Sequence, residues 1–288
     1  MLKSYPSIFA LGHHVLTTGG LLEGSVVVQE KYDGSQISFG LVWIPIKDHL
    51  GEPDYGSQDD RILVLQIRSK GAQISPTAPE KMFAPGIEVI RSFAANLVPG
   101  WVYRGEYLRT PKHHTLAYAR VPRNHLILFD IDRGEQDFLD YAAVSKWAVG
   151  LDVESVSTLY EGGLNHVDDV KAFLQRTSSL GGPLLEGIVV KNYARYGPDK
   201  KILMGKLVNE AFQEVHRAEW KVANPKSGDI VERLIKAYRT DARWTKSIQH
   251  LREAGQLEDS PRDIGKLIKE VPLDVAKECM DEIKEALW

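Results

Sequence analysis

Apolar and polar positions along the first two thirds of the chain recur mostly with the two-residue period of strands. Val26-Val27-Val28 runs into Gln29-Glu30-Lys31 and stops at Asp33-Gly34, and a second apolar-rich run follows from Ser35 to Trp43. Two strands, 26–31 and 35–43, are therefore expected around an Asp-Gly turn, the usual sign of a hairpin. Further strands are expected at 61–67, 101–108, 125–131, 153–160, 186–192 and 201–208. Three segments carry helical spacing instead. In 86–97 the apolar positions are Ile87, Ile90, Phe93, Ala94 and Leu97; 138–149 and 165–177 repeat that spacing, the latter with Asn165 as N-cap. Residues 45–60 and 72–85 are rich in turn formers and read as loops, and 1–24 reads as an irregular lead-in with one short strand.

The pattern changes at Asn224-Pro225-Lys226-Ser227-Gly228. Beyond it only helical periodicity remains, at 229–240, 243–254, 261–270 and 272–287. Strands grouped first and helices grouped last indicate an α+β chain with mostly antiparallel strands, residues 1–224, followed by a small all-helical C-terminal domain, 225–288.

Composition narrows the class only a little. No apolar run approaches the ~20 residues that span a bilayer, so no membrane association is expected. Met1 to Pro6 shows no apolar leader, and Cys279 alone excludes an internal disulfide or a cysteine-built zinc site. A monomer in a reducing cytoplasm is the expectation. The formal net charge of -3 does not announce a nucleic-acid binder. Phosphate binding depends on clustering instead, and Arg104, Arg109, Lys112, Arg120 and Arg123 form one basic group, Lys191, Arg195, Lys200 and Lys201 another.

Chemistry concentrates at Lys31. A lysine on a rigid strand end, flanked by Glu30 and Asp33, can act as a covalent nucleophile when its surroundings free the amine. Lys31-Tyr32-Asp33-Gly34 alone is equally a surface turn. It is followed, in order, by Arg68-Ser69-Lys70-Gly71, Tyr103-Arg104-Gly105-Glu106-Tyr107, Leu128-Phe129-Asp130-Ile131, Glu186-Gly187-Ile188-Val189-Val190-Lys191 and Lys206. This ordered set, over roughly residues 24 to 210, resembles the motifs of the covalent nucleotidyltransferases, the polynucleotide ligases and mRNA capping enzymes. Within them it is most similar to the RNA ligase 2 branch.

The resemblance implies an antiparallel-sheet nucleotidyltransferase (ATP-grasp-like ligase) domain and adenylyl transfer through Lys31. It implies that Glu30 accepts from the adenine amino group, Phe129 stacks on adenine, and Glu106 accepts from the ribose. Arg68 would meet the ribose or an incoming 3′ end, and Tyr32, Asp33 and Gly34 would shape the turn around the nucleotide. Glu186 would place the metal, a weakly held Mg²⁺ (or Mn²⁺), and Lys206 and Lys201 would meet the α-phosphate of ATP. The family shows two alternating lysines on that last strand, whereas here the alternating partner of Lys206 is Met204. The implied partners are nucleic-acid ends: RNA ends, a nicked duplex or an RNA/DNA hybrid. An ATP-dependent DNA ligase, a capping guanylyltransferase and a catalytically idle nucleotide- or RNA-binding relative stay open beside an RNA ligase. The first two would be expected to carry an all-β domain where this chain turns helical.

Overall fold

Two β-sheets face one another in the first part of the computed structural model. The structure describes residues 2–209, except 7, 52, 167 and 199, together with 244, 247, 248, 251, 252, 255–258 and 260–287. The chain separates into two compact units, Met1–Glu214 and Val215–Trp288; the expected boundary at 224 lies outside the described residues.

The strands of the first unit are β1 (Phe9–Ala10), β2 (Ser25–Lys31), β3 (Ser35–Pro45), β4 (Asp54–Gln58), β5 (Arg61–Ser69), β6 (Gln73–Ile74), β7 (Val102–Tyr107), β8 (Leu126–Asp132), β9 (Glu154–Ser155), β10 (Thr158–Gly163), β11 (Gly187–Tyr196) and β12 (Ile202–Val208). One sheet runs β1-β12-β11-β2-β10; the other runs β4-β5-β3-β7-β8-β9, with β6 on β5. All pairings are antiparallel except β1 with β12 and β8 with β9. The expected α+β character with antiparallel-rich sheets is therefore observed.

The hairpin expected at Asp33-Gly34 is not formed. β2 and β3 belong to different sheets, so the chain crosses between sheets at Tyr32–Gly34. Period-two burial is satisfied either way, because each strand finds partners elsewhere: β2 on β10 and β11, β3 on β5 and β7. The expected strand 153–160 is likewise two pieces, β9 in one sheet and β10 in the other. Strand β4 lies inside the expected loop 45–60, and a short helix, α1 (His14–Gly19), inside the lead-in.

Helices cover the outer face of the larger sheet. In α2 (Ala84–Phe93) Pro85 sits in the first turn, where its missing N–H costs nothing, and Gly86, Ile87, Ile90 and Phe93 are buried. Gly86 is required there, since a Cβ would stand 2.7 Å from the Tyr107 ring. α3 (Tyr141–Gly150) is capped by Asp140, which accepts from the Ala143 N–H. These helices and β3, β5, β7 and β8 share a core that includes Ile37, Phe39, Leu65, Ile90, Tyr103 and Leu128. Each such side chain contributes ~1.5–3 kcal/mol by leaving water. A second core, with Val26, Val28, Ile188, Val190 and Leu203, backs the smaller sheet, where α4 (Asp168–Lys171) and a 3-10 turn, Ala172–Gln175, replace the longer helix expected at 165–177.

In the second unit the helices expected at 261–270 and 272–287 are one helix, α5 (Asp263–Leu287), which passes through Pro272. The Asp263 carboxylate starts it by accepting from the Glu258 and Ser260 N–H groups, at 2.9 and 3.1 Å. The helix expected at 229–240 and most of that at 243–254 lie outside the described residues.

Candidate active site

Alternation along β2 sends Val26, Val28 and Glu30 to the back of the smaller sheet, and Val27, Gln29 and Lys31 to the face toward the other sheet. Register carries this across the sheet: Gly187 stands opposite Lys31, Val189 opposite Gln29 and Lys191 opposite Val27. On β12, Lys206 stands opposite Val189 and Met204 opposite Lys191. A cleft of ≈ 520 Å³ opens between the sheets, lined by Gln29, Lys31, Val189, Lys191 and Lys206 from one sheet and by Glu106 and Phe129 from the other. That volume suits a nucleotide-sized ligand.

Lys31 forms an ion pair with Glu186 Oε1 at the strand end; the lysine side chain is 29% exposed and the glutamate 5%. The second carboxylate oxygen, Glu186 Oε2, is buried and has no partner. Burial pushes the Glu186 carboxyl up to about 7, against the pull of Lys31. Glu106, also beside the lysine, is pushed up to about 8 by burial, with Lys31 opposing and Glu186 reinforcing. Lys206 is lowered, by burial first and then by the charges of Lys31 and Lys70. Two lysines and two carboxyls thus meet at one end of the cleft, and Lys206, Glu106 and Glu186 have displaced affinities for protons.

The crossing between sheets is built tightly. Asp33 is buried; its Oδ2 accepts from the Thr115 and Leu116 N–H groups at 2.6 and 2.7 Å, and its own N–H donates to the Tyr118 hydroxyl. Tyr32 shares a hydrogen bond with Ser179 Oγ at 2.8 Å and accepts from the Ser157 N–H. At Gly34 a Cβ would come within 2.8 Å of the Tyr107 carbonyl and 2.7 Å of Glu106 Cγ. The Gly34 backbone thus lies directly against the strand that carries Glu106.

Phe129 lies in the cleft wall with Tyr5 packed edge-on at 5.2 Å and the Lys191 ammonium 5.2 Å from its ring. Lys191, absent from the expected site, is almost wholly buried and bonds to Asp130 Oδ2 at 2.8 Å and to the Phe129 carbonyl at 3.2 Å. Burial lowers its affinity for a proton and Asp130 opposes that. Asp130 also accepts from the Tyr193 hydroxyl at 2.6 Å and from the Tyr5 hydroxyl. Lys191 stands opposite Met204 in the sheet and is the third lysine on this face, after Lys31 and Lys206.

Three expected residues are placed differently. Glu30 lines the cleft, but its carboxylate is already engaged, with Oε1 accepting from the Ser178 hydroxyl at 2.5 Å and Oε2 from the Ser179 N–H at 3.1 Å. Arg68 is engaged by backbone: it donates to the carbonyls of Leu2, Ser69 and Lys70, and its successors Ser69, Lys70 and Gly71, not Arg68 itself, line the cleft. Lys201 precedes β12 and is exposed, away from the cleft lining. Gln29, which sequence reasoning passed over, is in the lining, 1% exposed, with neither amide atom partnered. Its position two residues before Lys31 was the available signal.

A cleft between two sheets with an ion-paired lysine at a strand end has room for a ligand of nucleotide size, and sequence comparison supplies the class. Residues 24–208 match the RNA ligase family, and the chain belongs to that family. Among solved structures it resembles the RNA ligase of Naegleria gruberi. A mutant of that enzyme with ATP and manganese aligns at TM-score 0.52 and 17% identity, covering 75% of this chain and 58% of that one. The same enzyme with pyrophosphate aligns at TM-score 0.53 and 16% identity, with the same coverage. The chain thus spans 58% of the length of those ligases, and the likeness shows the fold. No curated protein matches the sequence at a significant level.

Proposed function

We propose that the chain is an ATP-dependent RNA ligase that works through a covalent Lys31–AMP intermediate. The observation that carries this reading is Lys31 itself, ion-paired to buried Glu186 at the edge of a nucleotide-sized cleft inside the family match. The Naegleria gruberi enzyme with ATP and manganese, and with pyrophosphate, lends support.

In the first step the Lys31 amine forms a P–N bond to the α-phosphorus of ATP as the bond to the bridging oxygen breaks and pyrophosphate leaves. The amine must first lose a proton. Glu186, bonded to it and poised near neutrality, is the group placed to take that proton. Lys206 balances charge developing on the α-phosphate. A nucleic-acid 5′-phosphate then takes the AMP, and a 3′-hydroxyl displaces it to seal the strand. Phe129 offers the flat face for the base, and Glu106, protonated or ionised near neutrality, meets the ribose.

The residues also fit a loosely held divalent cation. Glu186 Oε2 is an orphaned buried acceptor, yet no group of three or more His, Cys, Asp or Glu side chains capable of caging a metal exists among the described residues. Such a cation takes most of its ligands from phosphate and water. When bound it neutralises phosphate charge. Residues 225–288, in this reading, hold the nucleic acid.

Incubation with α-labelled ATP or GTP and a divalent cation, followed by denaturing electrophoresis, tests the proposal. Label from ATP that survives denaturation and vanishes in Lys31→Ala and Lys31→Arg supports it, since a guanidinium stays protonated. Label from GTP would make the chain a guanylyltransferase, no label an idle relative, and sealing confined to DNA strands a DNA ligase.

A further inference from the structure

Residues 109–118, between β7 and β8, fold back onto the chain just past the nucleophile. Thr115 and Leu116 donate to the Asp33 carboxylate, the Tyr118 hydroxyl accepts from the Asp33 N–H, and His113 Nε2 lies 2.9 Å from Ser35 Oγ. Ser35 opens β3, opposite Tyr107, and lines the cleft. The loop closes on itself through the Tyr118 N–H to the Pro111 carbonyl and the Arg109 N–H to His113 Nδ1, at 3.0 Å each. His114 packs edge-on against His113 at 4.5 Å, with its own Nε2 3.4 Å from Ser35 Oγ. A backbone N–H can only donate, so His113 Nδ1 carries no proton. The half-buried ring is therefore neutral, with its one N–H on Nε2 and aimed at Ser35.

We propose that His113 is a positioning residue, a latch that holds loop 109–118 against the turn after Lys31 while uncharged and lets go when protonated. The lone pair open to a second proton is the one on Nδ1. Occupying it sets two donors, Nδ1–H and the Arg109 N–H, against each other where a hydrogen bond stood. The ring must swing away from Arg109, taking its hold on Ser35 with it. The grip on the turn then rests on Thr115, Leu116 and Tyr118. The groups around the ring set when this happens. Burial first, and His114 second, hold His113 below its ordinary value of 6.5, while Asp33 pulls the other way. Ser35 and the edge of the Tyr107 ring, 5.6 Å away, add no charge. The latch is thus closed at neutral pH and opens only in acid. Its effect on Lys31 labelling rests on the ligase reading; the latch itself does not.

Imidazole proton–nitrogen spectra of the full chain, with His113→Asn identifying the His113 signals, test the latch directly. The Nε2–H tautomer should appear at neutral pH, and the ring should titrate below about 6.5. An Nδ1–H tautomer, a midpoint above that value, or a ring still neutral at acid unfolding would overturn the proposal. Asparagine places a carbonyl where Nδ1 stood and cannot take a proton. One pH unit below the midpoint, about nine tenths of His113 is charged. There, wild-type Lys31 labelling relative to His113→Asn should drop by about 5-fold, the worth of one hydrogen bond. The acid response of Glu106 and Glu186 is common to both chains and cancels in the ratio; a ratio flat with pH refutes the latch. Protection of the Thr115 and Leu116 amides from hydrogen exchange reads the latch without chemistry. It should fall over the same pH range in wild type and hold in His113→Asn. If His113→Asn does not fold, the wild-type tautomer, midpoint and protection still decide. Falling protection in a wild type that takes no label overturns the ligase reading and leaves the latch standing. Steady protection overturns the latch whether or not label appears.

Discussion

Removing Asp130 should strand a charge between the two sheets. Asp130 on β8 and Lys191 on β11 have side chains 0% and 3% exposed, and their 2.8 Å bond joins one sheet to the other beneath the cleft. In Asp130→Asn the ammonium keeps only the Phe129 carbonyl and an amide oxygen, and the Tyr5 and Tyr193 hydroxyls lose a charged acceptor. Breaking one side of a buried pair costs ~3–5 kcal/mol. With a urea slope of roughly 2–3 kcal/mol/M, the midpoint should fall by ~1–2 M. Combining Asp130→Asn with Lys191→Met should recover more than half of the loss, because no uncompensated charge remains. Urea titrations followed by tryptophan fluorescence on wild type, both single variants and the double variant measure this. A midpoint lowered by less than 0.3 M in Asp130→Asn (under ~1 kcal/mol at that slope), or single losses that simply add in the double variant, would refute a desolvated cross-sheet pair.

Glu106 binds its proton until about pH 8, whereas the unfolded chain releases it near the ordinary value of 4.5, so the unfolded state binds fewer protons and stability falls as pH rises between those values. Cleft water screens the partly exposed side chain, so the effect should be ~1–3 kcal/mol, less than the full shift implies. Glu106→Gln should flatten melting temperature from pH 5 to 8.5, and an unchanged slope would count against the raised carboxyl. Gly34→Ala should abolish Lys31 labelling and cost ~1–3 kcal/mol, since its Cβ meets the Tyr107 carbonyl backbone at 2.8 Å; near wild-type labelling would show that the crossing can yield. Glu186→Gln should lower Lys31 labelling by at least 10-fold, about 1.4 kcal/mol in the barrier, with the melting temperature retained, and full labelling across a Mg²⁺ titration would remove it from the chemistry.

Strand positions were legible in sequence because period-two burial is a local property; β2, β3, β5, β7, β8, β11 and β12 all lie where it places them. Partner choice was not. An Asp-Gly turn serves a hairpin or a crossing between sheets, and only long-range packing decides between them. Alternation alone separates Glu30 from Lys31, but the Ser178 and Ser179 groups that hold its carboxylate lie 148 and 149 residues further along the chain, where no local pattern reaches. Arg68 fell to a similar limit: its guanidinium is drawn to the Leu2 carbonyl, 66 residues away. Lys191 and Asp130 are 61 residues apart, and neither predicts the other.

The division of strands between sheets also sets an order of assembly. The larger sheet is one continuous stretch of chain, β3 to β9, whereas the smaller takes β1 and β2 from before it and β10 to β12 from after it. The larger sheet closes through nearby contacts and can form while synthesis continues; β2 must wait more than 120 residues for β10 and longer for β11. Lys31 therefore acquires Glu186 only once residues past 186 have left the ribosome. A nascent or truncated chain ending before β11 carries Lys31 without Glu186, and the cleft is complete only when β11 and β12 have joined β2 in the smaller sheet.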